Sequence, residues 1–237
     1  MVIYVASYPR SGNTFFRILI NRILGKKTYA VDVLFDQLGI TDVIGHEPIP
    51  GTIAELNARD DLYFVKTHDL PSDDLPAIYL MRDGRDAVVS FARWFCSFQP
   101  DQSVQGKLKR LLGRESFDAK LKEVIEGTLF GGWSNNVLAW ARDRKAGATS
   151  VVRFEELISD PLSSFERALS ELRVPRPVSS VTSIPTFEEL NQLAPEFFRK
   201  GRTGGWRQEM APELCKLFWS IHRQGMEFCQ YGSGDDD

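Results

Sequence analysis

Four short stretches carry side chains whose types and spacing suit chemistry on an anion. The first is "SYPRSGNT", residues 7–14. It keeps the spacing of the nucleotide loop GxxxxGK[ST]. Ser7 takes the first glycine position, Gly12 the second, Asn13 the lysine position and Thr14 the last. A strand-like run precedes it and a helix-like run follows. The unpaired backbone donors and the dipole of the opening helical turn then favour phosphate. Arg10, in mid-loop, can supply the cation that Asn13 cannot. The competing reading is a structural turn, because Pro9 and Gly12 are common turn residues.

The second stretch is "KTH", residues 66–68. Lys66 offers positive charge to a departing anion. His68 titrates near neutrality and can accept a proton. The chain's other histidines, His46 and His222, lie outside any motif. The third is "RDGRD", residues 82–86, with Ser90 eight residues after Arg82. An arginine fork can donate two hydrogen bonds to one phosphate. The fourth is "RKGRTGGW", residues 199–206. Arg199 and Lys200 supply charge, and Gly201, Gly204 and Gly205 let backbone approach a ligand closely. Taken alone, this last stretch reads as a solvated basic turn.

The elements that must position these residues alternate. "VIYVAS", "DLYFVKT", "PAIYLM" and "TSVVRF" read as four strands, apolar on both faces. Helices are expected over 14–24, 85–95 with Asp83 as cap, 116–126, 133–145, 162–172 and 212–229. Thr52 with Glu55, and Thr186 with Glu189, have capping-box spacing, and Pro212 suits a first helical turn. The pattern predicts an α/β fold of three layers, P-loop-like, with a central parallel sheet flanked by helices. Ligands bind beyond the carboxyl ends of such strands, and three of the four strands end in chemically loaded residues.

Composition bounds the rest. The chain has 237 residues and a formal net charge of −3, so nucleic-acid binding is not indicated and any anion site is local. Cys96, Cys215 and Cys229 form neither a disulfide framework nor a zinc pattern. No apolar run is long enough for a transmembrane helix, and no signal peptide is evident, so a cytoplasmic setting is expected. A single domain is expected over 1–231, with 232–237 a disordered acidic tail or an artificial extension.

In combination the motifs are more specific than any one of them. "SYPRSGNTF" resembles the 5′-phosphosulfate loop, often TYPKSGTTW, of the sulfotransferases that use 3′-phosphoadenosine 5′-phosphosulfate (PAPS). "KTH" with "LP" at 70–71 resembles their catalytic KTHLP. "YLMRDGRDAVVSF" resembles their 3′-phosphate motif, and "RKGRTGGW" their RKGxxGDW loop. The resemblance implies a PAPS-dependent sulfotransferase, without a metal. It implies His68 as general base and Lys66 and Arg10 as catalytic cations. It implies that Arg10, Ser11, Gly12, Asn13 and Thr14 hold the 5′-phosphate, with Arg82, Ser90, Arg199, Lys200 and Gly201 on the 3′-phosphate. Phe15, Trp206 and, more weakly, Phe154 are its adenine-site residues. Phe15 reads equally well as core. The departures are Arg10 for lysine, Phe15 for tryptophan, Gly84 for proline and Gly205 for aspartate.

The acceptor is a small molecule, lipid or sugar in this reading. Phe35, Trp94, Phe95, Phe130, Trp133, Phe187 and Phe198 could line its pocket, or be ordinary core. The basic stretch 97–116 reads as a solvated insertion. The family's C-terminal dimer signature is not apparent, though a homodimer is allowed. The alternative is a P-loop kinase or NTPase. Asn13 argues against it, and Asp83 and Asp86 are its only obvious magnesium ligands.

Overall fold

A computed structural model describes residues 1–30, 39–98, 117–175, 184–195, 198, 201 and 203–232. Its centre is strand β1 (Val2–Ser7), buried at every position. The pleat sends Val2, Tyr4 and Ala6 into one apolar cluster and Ile3 and Val5 into the other. The sheet therefore needs cover on both faces, which is the condition for parallel strands.

The remaining strands are β2 (Thr28–Ala30), β3 (His46–Pro48), β4 (Tyr63–Thr67), β5 (Ala77–Met81) and β6 (Thr149–Arg153). Their order is β3-β2-β4-β1-β5-β6, with every pairing parallel. The three motif-bearing strands are thus neighbours: Ala6 pairs with Thr67 and Ser7 with Leu80, so their carboxyl ends lie side by side. The predicted fold class holds. The two strands that sequence did not show, β2 and β3, have three residues each and lie at one edge. Runs that short carry no readable period.

Helix α1 (Asn13–Leu24) follows β1. It buries Phe15, Phe16, Ile18, Leu19, Ile20 and Ile23. Each such side chain contributes about 1.5–3 kcal/mol by leaving water. Gly25, at φ 61, ends the helix by donating to the Asn21 carbonyl. The short helices α2 (Thr41–Ile44) and α3 (Ile53–Asn57) come next. After β5 comes α4 (Gly84–Phe98). Asp83 caps it, accepting from the Arg85 N–H at 2.9 Å.

Helix α5 (Phe117–Glu126) and α6 (Trp133–Ala141) pack with α4 on one face. Helices α7 (Phe154–Ser159) and α8 (Pro161–Glu171) follow β6. Helix α9 (Phe187–Leu193), α10 (Trp206–Glu209) and α11 (Pro212–Phe228) complete the chain. Both capping boxes form, and Pro212 occupies the first turn of α11. Among the described residues no helix is long and apolar enough to cross a membrane.

Candidate active site

The site begins where β1 turns into α1. Gly12 sits at φ 96, and a Cβ there would lie 2.7 Å from the Phe154 ring. That close approach and the left-handed backbone both require glycine. Arg10 adopts φ 66, a costly conformation for a side chain of its size. Its carbonyl accepts from Arg82 Nη1 at 3.0 Å, and its own Nε donates to Ser90 Oγ at 3.2 Å. The first and third motifs are therefore tied to each other on both the backbone and the side chain of Arg10.

Arg82 lies 4.3 Å above the Phe154 ring, with Nη2 4.0 Å from Asp86. Burial lowers the Arg82 pKa, against the pull of Asp86, Glu155 and Asp83. Burial likewise pushes the Asp86 carboxyl up, against Arg82 and two backbone donors. Those donors are the N–H groups of Gly204 at 2.7 Å and Trp206 at 2.9 Å. Asp86 thus anchors the glycine-rich fourth motif to α4. Asp83 grips Arg85 at 2.7 and 3.0 Å, and Arg85 stacks 3.9 Å over Trp206. Both aspartates considered as magnesium ligands are engaged in these contacts.

On the other side of the loop stands His68. Its Nδ1 is 2.7 Å from the Ser7 carbonyl and 3.3 Å from Ser7 Oγ. A carbonyl only accepts, so Nδ1 carries a hydrogen, and in the neutral ring the lone pair is then on Nε2. Asn136 donates to the His68 carbonyl at 2.9 Å, and Trp140 Nε1 to the Asp69 carbonyl at 2.9 Å. Lys66 is half-buried near the end of β4. The ring of Phe130 is 5.4 Å from that of His68.

Other candidate residues fall in distinct places. Asn13 turns inward: its amide donates to the Val5 carbonyl at 2.8 Å and to Ser7 Oγ at 3.3 Å. The residue at the lysine position therefore spends its side-chain donors on bracing β1, and its backbone N–H is the donor left to face a ligand. Ser11 Oγ is buried without a hydrogen-bond partner within the loop, which fits an anion there. Thr14 is half-buried in the first turn of α1. Phe15 is buried in the apolar cluster beneath α1, which favours its reading as core. Phe154 packs between Gly12 and Arg82. Gly201 is at φ 52, whereas Arg199 and Lys200 lie outside the described residues.

Of the apolar acceptor candidates, Trp133 and Phe198 belong to the core, and Trp94 and Phe95 pack against Phe91. Phe130 is the one whose ring contact reaches His68. Phe35, the side chain of Phe187 and residues 99–116 of the insertion lie outside the described residues.

A model of the sulfotransferase domain matches residues 2–230. The chain belongs to the sulfotransferase family. Human sulfotransferase 1E1 is 25% identical over 94% of this sulfotransferase and 83% of its own length. Rat sulfotransferase 1 family member D1 is 23% identical over 95% and 83%. Mouse sulfotransferase SULT7A1, solved with PAP, superposes with a TM-score of 0.68 at 20% identity, covering 98% of this chain and 89% of that one. Retinol dehydratase, solved with androsterone and PAP, gives 0.65 at 20% identity, covering 95% and 80%.

Two residues of the candidate site escaped sequence reasoning, and a third was read in another role. Asp86 was read only as a magnesium ligand, and its spacing of four from Arg82 was the signal for their contact. Tyr79 and Asn136 carried none: one reads as strand core, the other as an unremarkable helix residue beside Asn135.

Proposed function

We propose that this sulfotransferase moves the sulfuryl group of PAPS to a hydroxyl, or an amine, of a small-molecule, lipid or sugar acceptor, releasing adenosine 3′,5′-bisphosphate (PAP). The observation that carries the mechanism is the 2.7 Å contact of His68 Nδ1 with the Ser7 carbonyl. It orients the ring with Nε2 as the basic nitrogen and seats it on the first residue of the phosphate loop. The structures of mouse SULT7A1 and retinol dehydratase, both with PAP, support the choice of nucleotide.

PAPS supplies an activated sulfur on a phosphate leaving group. His68 Nε2 takes the acceptor hydroxyl proton as that oxygen bonds to sulfur in line with the breaking S–O bond. Lys66 stabilises the charge left on the bridging oxygen, and Arg10 the sulfuryl and 5′-phosphate oxygens. Ser11, Gly12, Asn13 and Thr14 hold the 5′-phosphate through backbone N–H groups and, at Ser11 and Thr14, hydroxyls. Arg82 and Ser90, with Arg199, Lys200 and Gly201, hold the 3′-phosphate. Phe154 and Trp206 flank the nucleotide, and Phe15 supports the loop from below. Phe130 favours an acceptor with an apolar body.

Calorimetry tests the cofactor. PAP is expected to bind tightly without magnesium, and ATP weakly. Tight ATP binding that strictly needs magnesium would overturn the proposal. Labelled PAPS with a panel of phenols, sterols, alkanols and amines then identifies the acceptor.

A further inference from the structure

Asn136, in the second turn of α6, is completely buried. Its amide is fully used on the protein. Nδ2 donates to the carbonyls of His68 and Phe130, both at 2.9 Å. Oδ1 accepts from the Tyr79 hydroxyl at 2.8 Å. The orientation admits no flip, because two carbonyls can only accept. Tyr79, on β5, is also completely buried, and burial holds its pKa far above the ordinary range. It therefore stays a phenol and keeps its donor. In the sheet Tyr79 pairs with Ala6 of β1, the residue before Ser7, where the phosphate loop begins.

These bonds form one buried line. It runs from the Tyr79 hydroxyl to the Asn136 amide and on to the His68 carbonyl. The His68 ring is separately tied to Ser7. The backbone of His68 is thus referred to β5 opposite Ala6, and its ring to Ser7, the next residue of β1. The same amide fixes Phe130, held at φ 57 and ψ 27, a strained conformation for an aromatic residue.

We infer that Asn136, braced by Tyr79, is a positioning residue that sets His68 and Phe130 in register with the phosphate loop. The inference rests on His68 being the base in the function proposed above. An alanine at 136 releases both carbonyls, and an aspartate there cannot donate to either. Misplacement of a reacting group by about 1 Å costs about a hundredfold in rate.

The test compares Asn136→Ala, Asn136→Asp and Tyr79→Phe for kcat, for KM and, by calorimetry, for PAP affinity. Ser150→Ala is the control. It removes a part-buried hydrogen bond, from Ser150 Oγ to Glu171 at 2.6 Å, on β6. Both Asn136 variants are expected to lose about a hundredfold in kcat, and Tyr79→Phe about tenfold, with PAP affinity kept within about twofold. Ser150→Ala should lose stability and keep its kcat.

Wild-type kcat in a folded Asn136 variant overturns the inference, as does an equal loss of kcat and PAP affinity. If neither Asn136 variant folds, wild-type kcat in Tyr79→Phe overturns it. His68→Ala separates the two proposals. Retained turnover there removes the base, whereas an inactive His68→Ala beside a fully active Asn136→Ala removes only the register.

Discussion

Neutral hydrogen bonds hold His68, whereas Arg82 combines one to the Arg10 carbonyl with a charged partner, Asp86. The histidine ring is held by a backbone carbonyl at 2.7 Å, and its own carbonyl by an amide at 2.9 Å. Arg82 instead faces Asp86 at a loose 4.0 Å and stacks on Phe154. Short neutral bonds fix an atom's position and leave its protonation state intact. In the function proposed above, the buried Arg82 beside Asp86 offers its charge to a phosphate. In that proposal one flank serves geometry and the other binding.

That contrast can be broken most strongly at His68. His68→Ala is expected to lower kcat about a thousandfold, within the range for general bases, with PAP affinity intact. A parallel loss of PAP affinity would erase the distinction between the flanks.

The core histidine sharpens the comparison. His222 Nε2 donates to the Ile125 carbonyl at 3.0 Å, much as His68 does to Ser7, but it is 3% exposed. Burial lowers its pKa from 6.5 to about 4. The folded value is the depressed one, so the unfolded chain binds the extra proton first. The neutral form's stability is complete above pH 6.5 and is lost as pH falls towards 4. The loss amounts to roughly 3 kcal/mol. Urea unfolding across that window measures it, and His222→Gln should remove this part of the slope. An unchanged slope in the variant would refute the assignment.

On the charged flank, Arg82→Ala should weaken PAP binding by about a hundredfold while sparing the chemical step, since it removes charged hydrogen bonds. Arg82→Lys should recover only part, because an ammonium lacks the fork. If kcat falls instead of affinity, the flanks have been misassigned. The smallest effect is expected far from both. Thr52→Ala opens the capping box of α3 and should cost about 1 kcal/mol by thermal melting with turnover unchanged.

Legibility in the sequence followed the same division. The charged flank was readable because phosphate chemistry confines residue types and spacings: Arg82 and Ser90 stand eight apart, and Arg10 falls in a strand–loop–helix setting. The four longer strands were readable because burial on both faces makes them continuously apolar. The neutral flank was not, apart from "KTH". Asn135 is exposed and Asn136 buried, yet the two are identical in type and adjacent in sequence. Only packing separates them. Phe15 shows the converse. Its position matched a ligand-stacking aromatic, but its burial with Ile3, Val5 and Leu19 gives it an ordinary reason to be apolar.

The central place of β1 has a kinetic consequence. Its partners are distant along the chain, Val2 pairing with Tyr63 and Tyr4 with Ala77. Such closures come late, because loop entropy is lost before any contact rewards it. A growing chain that has emerged only as far as β4 holds two of the three loaded ends and no Arg82. In the function proposed above, the nucleotide site of a growing chain therefore stays incomplete first until Arg82 and then until residues 199–206 have been released.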